Sequence, residues 1–150
     1  MKIVIGCDEA AFSLKEILKK VLVEDGHEVL DFGVHDELPV LYPDIAVKVA
    51  EAVSKGEAER GVLICGTGIG MAITANKVPG IRAALCHDTY SAERAVKSND
   101  AQIITMGARV IGSELAKAIL RTFMASEFKD GPSTPKIERI TAYEREFHAG

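Results

Sequence analysis

The chain has 150 residues, 47% of them hydrophobic and 27% charged, with 18 basic against 22 acidic side chains and a net charge of −4. Those proportions suit a compact domain with one substantial core and exclude a disordered chain. A mildly acidic balance without blocks of like charge argues against a protein built to hold nucleic-acid backbone or a membrane surface. Along the chain, Ile3–Ile5 reads as a strand, and Leu14, Ile17, Leu18, Val21 and Leu22 then repeat at helical spacing up to Gly26. Glu28–Phe32 is the second strand, and Pro43 can open a helix whose buried stripe would be Ala46, Val49, Ala50 and Val53. Val62–Ile64 is the third strand, followed by a short helix over Ile69–Ala75. Ile81–Leu85 and Gln102–Thr105 are the fourth and fifth strands, separated by a helix over Thr89–Val96. Ile111, Leu115, Ile119 and Phe123 mark a long amphipathic helix. After the loop with Gly131, Pro132, Ser133 and Pro135 comes a last helix, about 135–148, carrying Ile137, Ile140, Tyr143 and Phe147.

Strands alternating with helices predict an α/β fold: a doubly wound, Rossmann-like, five-stranded parallel sheet with helices on both faces, one domain over 1–150 plus the C-terminal helix. In such sheets ligands bind beyond the carboxyl ends of the strands. That rule selects Gly6–Glu9, Cys65–Gly70, Cys86–Asp88 and Met106–Arg109. The longest uncharged stretch, Gly61 to Asn76, is too short and too rich in glycine to span a membrane. The opening MKIVIGCDE reaches acidic residues after only a few apolar ones, so no signal peptide and a cytoplasmic location are expected. Three cysteines without paired spacing imply neither a disulfide framework nor a metal site; Cys7 and Cys86 read as core residues.

Cys65-Gly66-Thr67-Gly68-Ile69-Gly70, between a buried strand and a helix, is the clearest motif. Its alternate glycines let backbone N–H groups approach an oxygen anion, and the helix start adds its positive end. No Gly-Lys-Ser/Thr follows, the third glycine of a dinucleotide fingerprint is missing, and Met71 sits where a Cys-x5-Arg loop needs arginine. What remains is an oxyanion cradle with a thiol at its lip, or a tight turn beside a buried cysteine. Asp8 and Glu9 can bond sugar hydroxyls or cap the following helix. His87 suits phosphate binding or proton transfer, and Asp88 an ordinary N-cap. Arg109 suits an anion or a surface ion pair. Lys129, Lys136 and Arg139 read as solvated unless their loop crosses to a partner.

Across essentially its whole length the sequence resembles the ribose-5-phosphate isomerase B / galactose-6-phosphate isomerase (LacAB) family. The likeness runs through Ile5-Gly6-Cys7-Asp8, Phe12 with Leu14-Lys15, Tyr42-Pro43-Asp44, Ile64 to Met71, Ala75-Asn76-Lys77, Gly80-Ile81-Arg82-Ala83, and Gly107 with Arg109-Val110-Ile111-Gly112. The resemblance implies an aldose–ketose isomerase without metal or cofactor, acting on a phosphorylated small sugar as a homodimer or homotetramer with sites at the subunit interface. It implies Cys65 as the base that moves a proton between C1 and C2 through a cis-enediolate, assisted by the Thr67 hydroxyl. The N–H groups of Gly66, Gly68, Ile69 and Gly70 would cradle the oxyanion. Asp8, Tyr42 and Asn99 match sugar contacts, and Arg109 matches a phosphate ligand.

Departures narrow the substrate. Ribose-5-phosphate enzymes usually carry histidine where this chain has Glu9, and a second, ring-opening histidine where it has Ser98. Their late loop usually supplies two phosphate-binding arginines, where Pro132 and Lys136 stand here. A pentose 5-phosphate closes a furanose ring through its free O4, which the enzyme must open. In a tetrose 4-phosphate O4 carries the phosphate, so that ring cannot form. The stretch from Arg82 through His87 and Ser98-Asn99 to Arg109 also resembles the D-erythrulose-4-phosphate isomerase branch. The expected reaction is therefore D-erythrose 4-phosphate to D-erythrulose 4-phosphate. The alternatives are ribose 5-phosphate isomerisation, with His87 opening the ring, and a sugar-phosphate-binding module without catalysis.

Overall fold

The computed structural model of the chain describes residues 1–148, so the last two positions of the expected 1–150 domain lie outside the described residues. The elements are β1 (Lys2–Cys7), α1 (Phe12–Glu24), β2 (Glu28–Asp31), α2 (Tyr42–Ser54), β3 (Arg60–Cys65), α3 (Ile69–Ala75), β4 (Ala83–Leu85), α4 (Thr89–Lys97), β5 (Ile103–Gly107), α5 (Ser113–Ala125) and α6 (Thr134–His148). A single 3-10 turn, Glu9–Ala11, joins β1 to α1. The five strands are parallel throughout, in the order β2-β1-β3-β5-β4.

The strands can be buried on both faces because almost every side chain in β1, β3 and β5 is apolar. On one face α1, α4 and α5 pack Leu18, Val96 and Phe123 against Ile3, Ile5, Val62, Ile64 and Ile104. On the other, α2 and α3 pack Ala46, Val49 and Met71 against Val4, Leu63 and Ile103. The chain steps from β1 outward to β2, then crosses back past β1 to β3, so its direction reverses between β1 and β3. That reversal opens a crevice at the carboxyl ends of the two strands. Cys7 is paired with Ile64, and Cys65 with Gly107, so register alone sets the turns after β1, β3 and β5 side by side.

Several element bounds differ from the expected ones for local reasons. β4 begins at Ala83 because the Gln102 side chain takes the Arg82 N–H, at 2.8 Å. β5 runs on to Gly107 because β3 continues to Cys65 beside it. In α2 the buried position is Ala52, while Val53 is half-buried. Ile111 precedes α5 and Leu115 faces outward, its buried stripe being Ala116, Ile119, Leu120, Phe123 and Met124. In α6 only Ile137 is buried; Ile140, Tyr143 and Phe147 are exposed on this chain. Cys7 and Cys86 are core residues, as expected. Among the described residues no helix is long and apolar enough to cross a membrane.

Candidate active site

Cys65 closes β3, and the chain then turns sharply into α3. Gly68 makes that turn at φ +79°, a left-handed conformation that disfavours any side chain. A Cβ there would also lie 2.6 Å from the Leu85 side chain and 2.8 Å from the Met106 backbone. The Gly68 N–H donates to Cys65 Sγ at 3.1 Å, fixing the sulfur at the mouth of the turn. Thr67 is exposed, and its Oγ1 accepts the Ile69 N–H at 3.3 Å. Of the expected cradle, the Gly68 and Ile69 N–H groups are thus taken within the turn, whereas among the described residues those of Gly66 and Gly70, together with Thr67, have no protein acceptor, which leaves them to a bound oxygen. The positive end of α3 favours a negative one.

Two side chains lie against this loop, one at each end. The Tyr42 phenol, from the first turn of α2, lies directly over Gly70, so closely that a Cβ at that position would collide with its ring. The Arg109 guanidinium lies along Gly66, where a Cβ would be 3.3 Å from its Nη1. The Arg109 main chain fixes this placement by donating to Gly66 O at 3.0 Å. Among the described residues Arg109 makes no ion pair, so its charge is available to an anion.

Asp8 follows β1, and its main-chain N–H donates to Ile64 O at 3.2 Å, which brings it beside Cys65. Its Oδ1 caps the 3-10 turn by accepting the Ala10 N–H at 3.1 Å. Oδ2 has no hydrogen bond among the described residues, so the cap and a ligand role are compatible. Burial, and then the neighbouring Glu9 charge, push the Asp8 carboxyl above the ordinary carboxylate range, with the Ala10 and Ala11 N–H groups and then Arg109 opposing. Glu9 turns elsewhere: its Oε2 accepts the Val40 N–H at 3.2 Å.

His87 follows β4, and its Nε2 accepts the Gly107 N–H at 2.9 Å. A main-chain N–H can only donate, so Nε2 is unprotonated and the ring carries its proton on Nδ1. Gly107 thus orients this ring. Asp88 is the N-cap of α4, accepting from Ser91 N at 2.6 Å and Ser91 Oγ at 2.8 Å, which holds its carboxyl below the usual range. Among the described residues no three His, Cys, Asp or Glu side chains gather as metal ligands would.

Asp8, Tyr42, Cys65, Gly66, Thr67, Gly68, Ile69, Gly70, His87 and Arg109 therefore meet at one edge of the sheet. Asn99 and Lys136 do not join them within the chain. Asn99 precedes β5 at the opposite, amino edge, where it lines a cavity of about 390 Å³ with Asn76, Arg82, Ile140 and Glu144. Lys136 stands exposed in the first turn of α6, whose Glu144 accepts the Gly80 N–H at that same edge, at 3.0 Å. One supporting residue escaped sequence reasoning: fully buried Thr105 donates from Oγ1 to Gly68 O at 2.8 Å, clamping the turn. A lone hydroxyl in an otherwise apolar strand was its signal.

The family model for Ribose/Galactose Isomerase matches residues 3–140 of this chain. A D-erythrulose-4-phosphate isomerase of Pectobacterium atrosepticum is 52% identical over 148 residues, 97% of each chain. A Ribose-5-P isomerase B of Listeria innocua is 57% identical over 138 residues, 92% of this chain and 93% of the other. Ribose-5-Phosphate Isomerase B of Clostridium thermocellum superposes with a TM-score of 0.96 at 46% identity, covering 98% of this chain and 99% of that one. The chain belongs to the ribose/galactose isomerase family of sugar-phosphate isomerases.

Proposed function

We propose that the chain interconverts D-erythrose 4-phosphate and D-erythrulose 4-phosphate, with Cys65 as the base. Four-carbon and five-carbon enzymes both stand among its relatives, so chain length has to be argued from the site. The hydrogen bond from Gly107 N–H to His87 Nε2 carries the argument. Opening a furanose requires one group to take the proton of the anomeric hydroxyl and another to protonate the ring oxygen. With Nε2 already occupied by a donor, His87 can offer only Nδ1–H as a hydrogen bond. It cannot gain a proton without breaking its own anchor. Ser98, at the family's ring-opening position, is a hydroxyl that accepts from Arg94 Nη1 at 3.3 Å. A substrate that forms no furanose suits such a site.

In the aldose-to-ketose direction the Cys65 thiolate takes the proton from C2, and the electron pair moves to the carbonyl oxygen O1. The unpartnered N–H groups of Thr67 and Gly70 hold the resulting enediolate oxygens. Thr67 Oγ1 passes the O2 proton to O1, and the Cys65 thiol returns its proton to C1, leaving the carbonyl at C2. The Arg109 guanidinium binds the phosphate. Asp8 Oδ2 and the Tyr42 hydroxyl hold sugar hydroxyls.

Asn99 and Lys136 reach a site only if a second copy presents its amino edge to this carboxyl edge. The exposed apolar side chains around the cradle, Leu41, Ile69, Ile73 and Leu85, and those of α6, Tyr143 and Phe147, support such a pairing. The proposed assembly is thus a homodimer, or a homotetramer, with composite sites. The identity to the Listeria relative favours a second reading, ribose 5-phosphate isomerisation.

Proton NMR in D2O separates the two. Purified protein is given D-erythrose 4-phosphate and, separately, D-ribose 5-phosphate, and ketose formation and deuterium at the transferred position are followed. Faster turnover of the four-carbon sugar is expected. Faster turnover of ribose 5-phosphate overturns the substrate assignment, and inertness toward both overturns it in favour of another sugar phosphate or a binding role. Cys65→Ala should lower turnover by roughly 1000-fold while sugar-phosphate binding persists. Surviving turnover would remove Cys65 from the base role.

A further inference from the structure

Residues 33–41 leave the sheet after β2 and return to start α2 at Tyr42. The near end of this segment is well held: Lys15 Nζ donates to Val34 O at 2.6 Å, and Gly33 N–H to Asp31 Oδ1 at 2.9 Å. The far end has little packing, with Leu38 and Leu41 68% and 74% exposed. Leu38 N–H turns back onto Asp36 Oδ1 at 3.0 Å, a bond internal to the segment. No side chain caps the start of α2 at Leu41. Among the described residues one side chain from outside bonds the far half, and it is Glu9, whose Oε2 accepts the Val40 N–H at 3.2 Å. Val40 lies two residues before Tyr42, whose phenol covers Gly70.

We propose that Glu9 is a positioning residue: its carboxylate latches Val40 and thereby holds the Tyr42 ring over the Gly66–Gly70 loop, setting the depth of the sugar pocket. The proposal rests on the reading of that loop as the substrate cradle. It assigns position 9 to the wall of the site rather than to a sugar hydroxyl. A ring held down over Gly70 shortens the space beyond the reacting carbons, so the latch favours the shorter substrate. Freed, Tyr42 would leave the cradle open without altering the base at Cys65, and substrate binding would suffer more than the chemical step.

Two readouts test it, one of which needs no substrate. NMR hydrogen exchange should show the Val40 amide exchanging roughly tenfold faster in Glu9→Ala than in the unaltered chain. Glu9→Gln keeps an acceptor oxygen and should restore the protection, with the core amide of Ile64 unchanged in both variants. In steady-state kinetics with D-erythrose 4-phosphate, Glu9→Ala should raise KM severalfold with a smaller effect on kcat. Combined with Tyr42→Ala, it should add nothing further. Unchanged Val40 exchange overturns the latch, whatever the substrate proves to be. Losses that multiply in the double variant overturn action through Tyr42 and place Glu9 on the substrate itself.

Discussion

The Gly107 N–H donates to His87 Nε2 at 2.9 Å, across adjacent strand ends, and this bond fixes both the tautomer and the direction of the ring. A histidine so held serves as a hydrogen-bond donor through Nδ1. His87→Ala should therefore lower kcat/KM for D-erythrose 4-phosphate and for D-ribose 5-phosphate by a similar factor, roughly tenfold, the worth of a hydrogen bond to substrate. His87→Gln, which keeps both an acceptor and a donor, should recover part of it. Steady-state kinetics on both substrates decides the matter. A loss confined to ribose 5-phosphate would show that the ring gives up its Gly107 anchor to open a furanose.

The three cysteines should differ sharply toward alkylation. Burial pushes the Cys7 thiol up to about 12 against the opposing effects of the Val34 hydrogen bond and Lys15. Burial, with Asp88 nearby, pushes Cys86 up to about 11. Both stay protonated and enclosed in the core at neutral pH. Cys65 is also buried, at 5% exposed, but it borders the exposed Thr67, and its Sγ accepts the Gly68 N–H of the turn itself. Iodoacetamide at about pH 8 should therefore modify Cys65 first, with activity falling in step, and a sugar phosphate should slow the reaction. Peptide mass spectrometry reads the site of modification. Early labelling of Cys7 or Cys86 without loss of activity would contradict the core assignment.

Much of this site was legible in the sequence because it is built from short segments at strand ends, where register does the assembling. The short helix over Ile69–Ala75 has the bounds its pattern predicted. Cys65 and Gly107, 42 positions apart, are partners simply because β3 and β5 are neighbours. What stayed hidden depends on pairings across the fold. Lys15 stands in the sequence only as part of the family likeness, yet it is fully buried because Asp31 of β2 faces it. The bond from Glu9 to Val40 spans 31 positions and follows from β1 and β2 lying together. The apolar spacing of Ile140, Tyr143 and Phe147 foretold a helix, but their burial needs a surface that one chain does not supply.

Gly68→Ala and Gly70→Ala should fail in different ways. At Gly68 a Cβ meets both a left-handed backbone and the Met106 main chain at 2.8 Å, which cannot swing aside. That substitution should cost about 1–2 kcal/mol and lower Tm by roughly 4 °C, and it displaces the N–H that holds Cys65 Sγ. At Gly70 the obstacle is the Tyr42 side chain, on a surface helix turn that can yield. Tm should hardly change there, while KM rises because the phenol is pushed off the cradle. Calorimetry paired with kinetics separates the two. Equal losses of Tm would mean that Tyr42 cannot move.

The ion pair beneath the Tyr42 segment should make stability depend on pH in a defined way. Lys15 Nζ, fully buried, donates to both Asp31 oxygens at 3.1 and 2.8 Å, and Lys19 adds a bond to the same carboxylate at 3.1 Å. Burial alone would raise Asp31, but the hydrogen bonds from Lys15, Gly33 and Lys19 prevail and hold it below the usual carboxylate range. An acid depressed in the folded state stabilises the fold above its unfolded pKa of about 3.9, and the contribution fades as pH falls through the lower folded value. For Lys15 burial works downward, yet the bonds to Asp31 and Glu16 raise it, so its share is present below about pH 10 and lost only as pH rises beyond. At neutral pH both shares are intact. Lys15→Met should then cost about 3 kcal/mol, because it leaves a nearly buried carboxylate to the half-exposed Lys19 at 3.1 Å and the exposed His35 ring at 3.9 Å. Toward about pH 3 the gap between the two proteins should narrow as the folded Asp31 begins to take up its proton. Urea unfolding at both pH values measures the gap. An equal gap at both would mean that Lys15 contributes through packing against Phe12, whose ring centroid lies 5.2 Å from Nζ, and not through its charge.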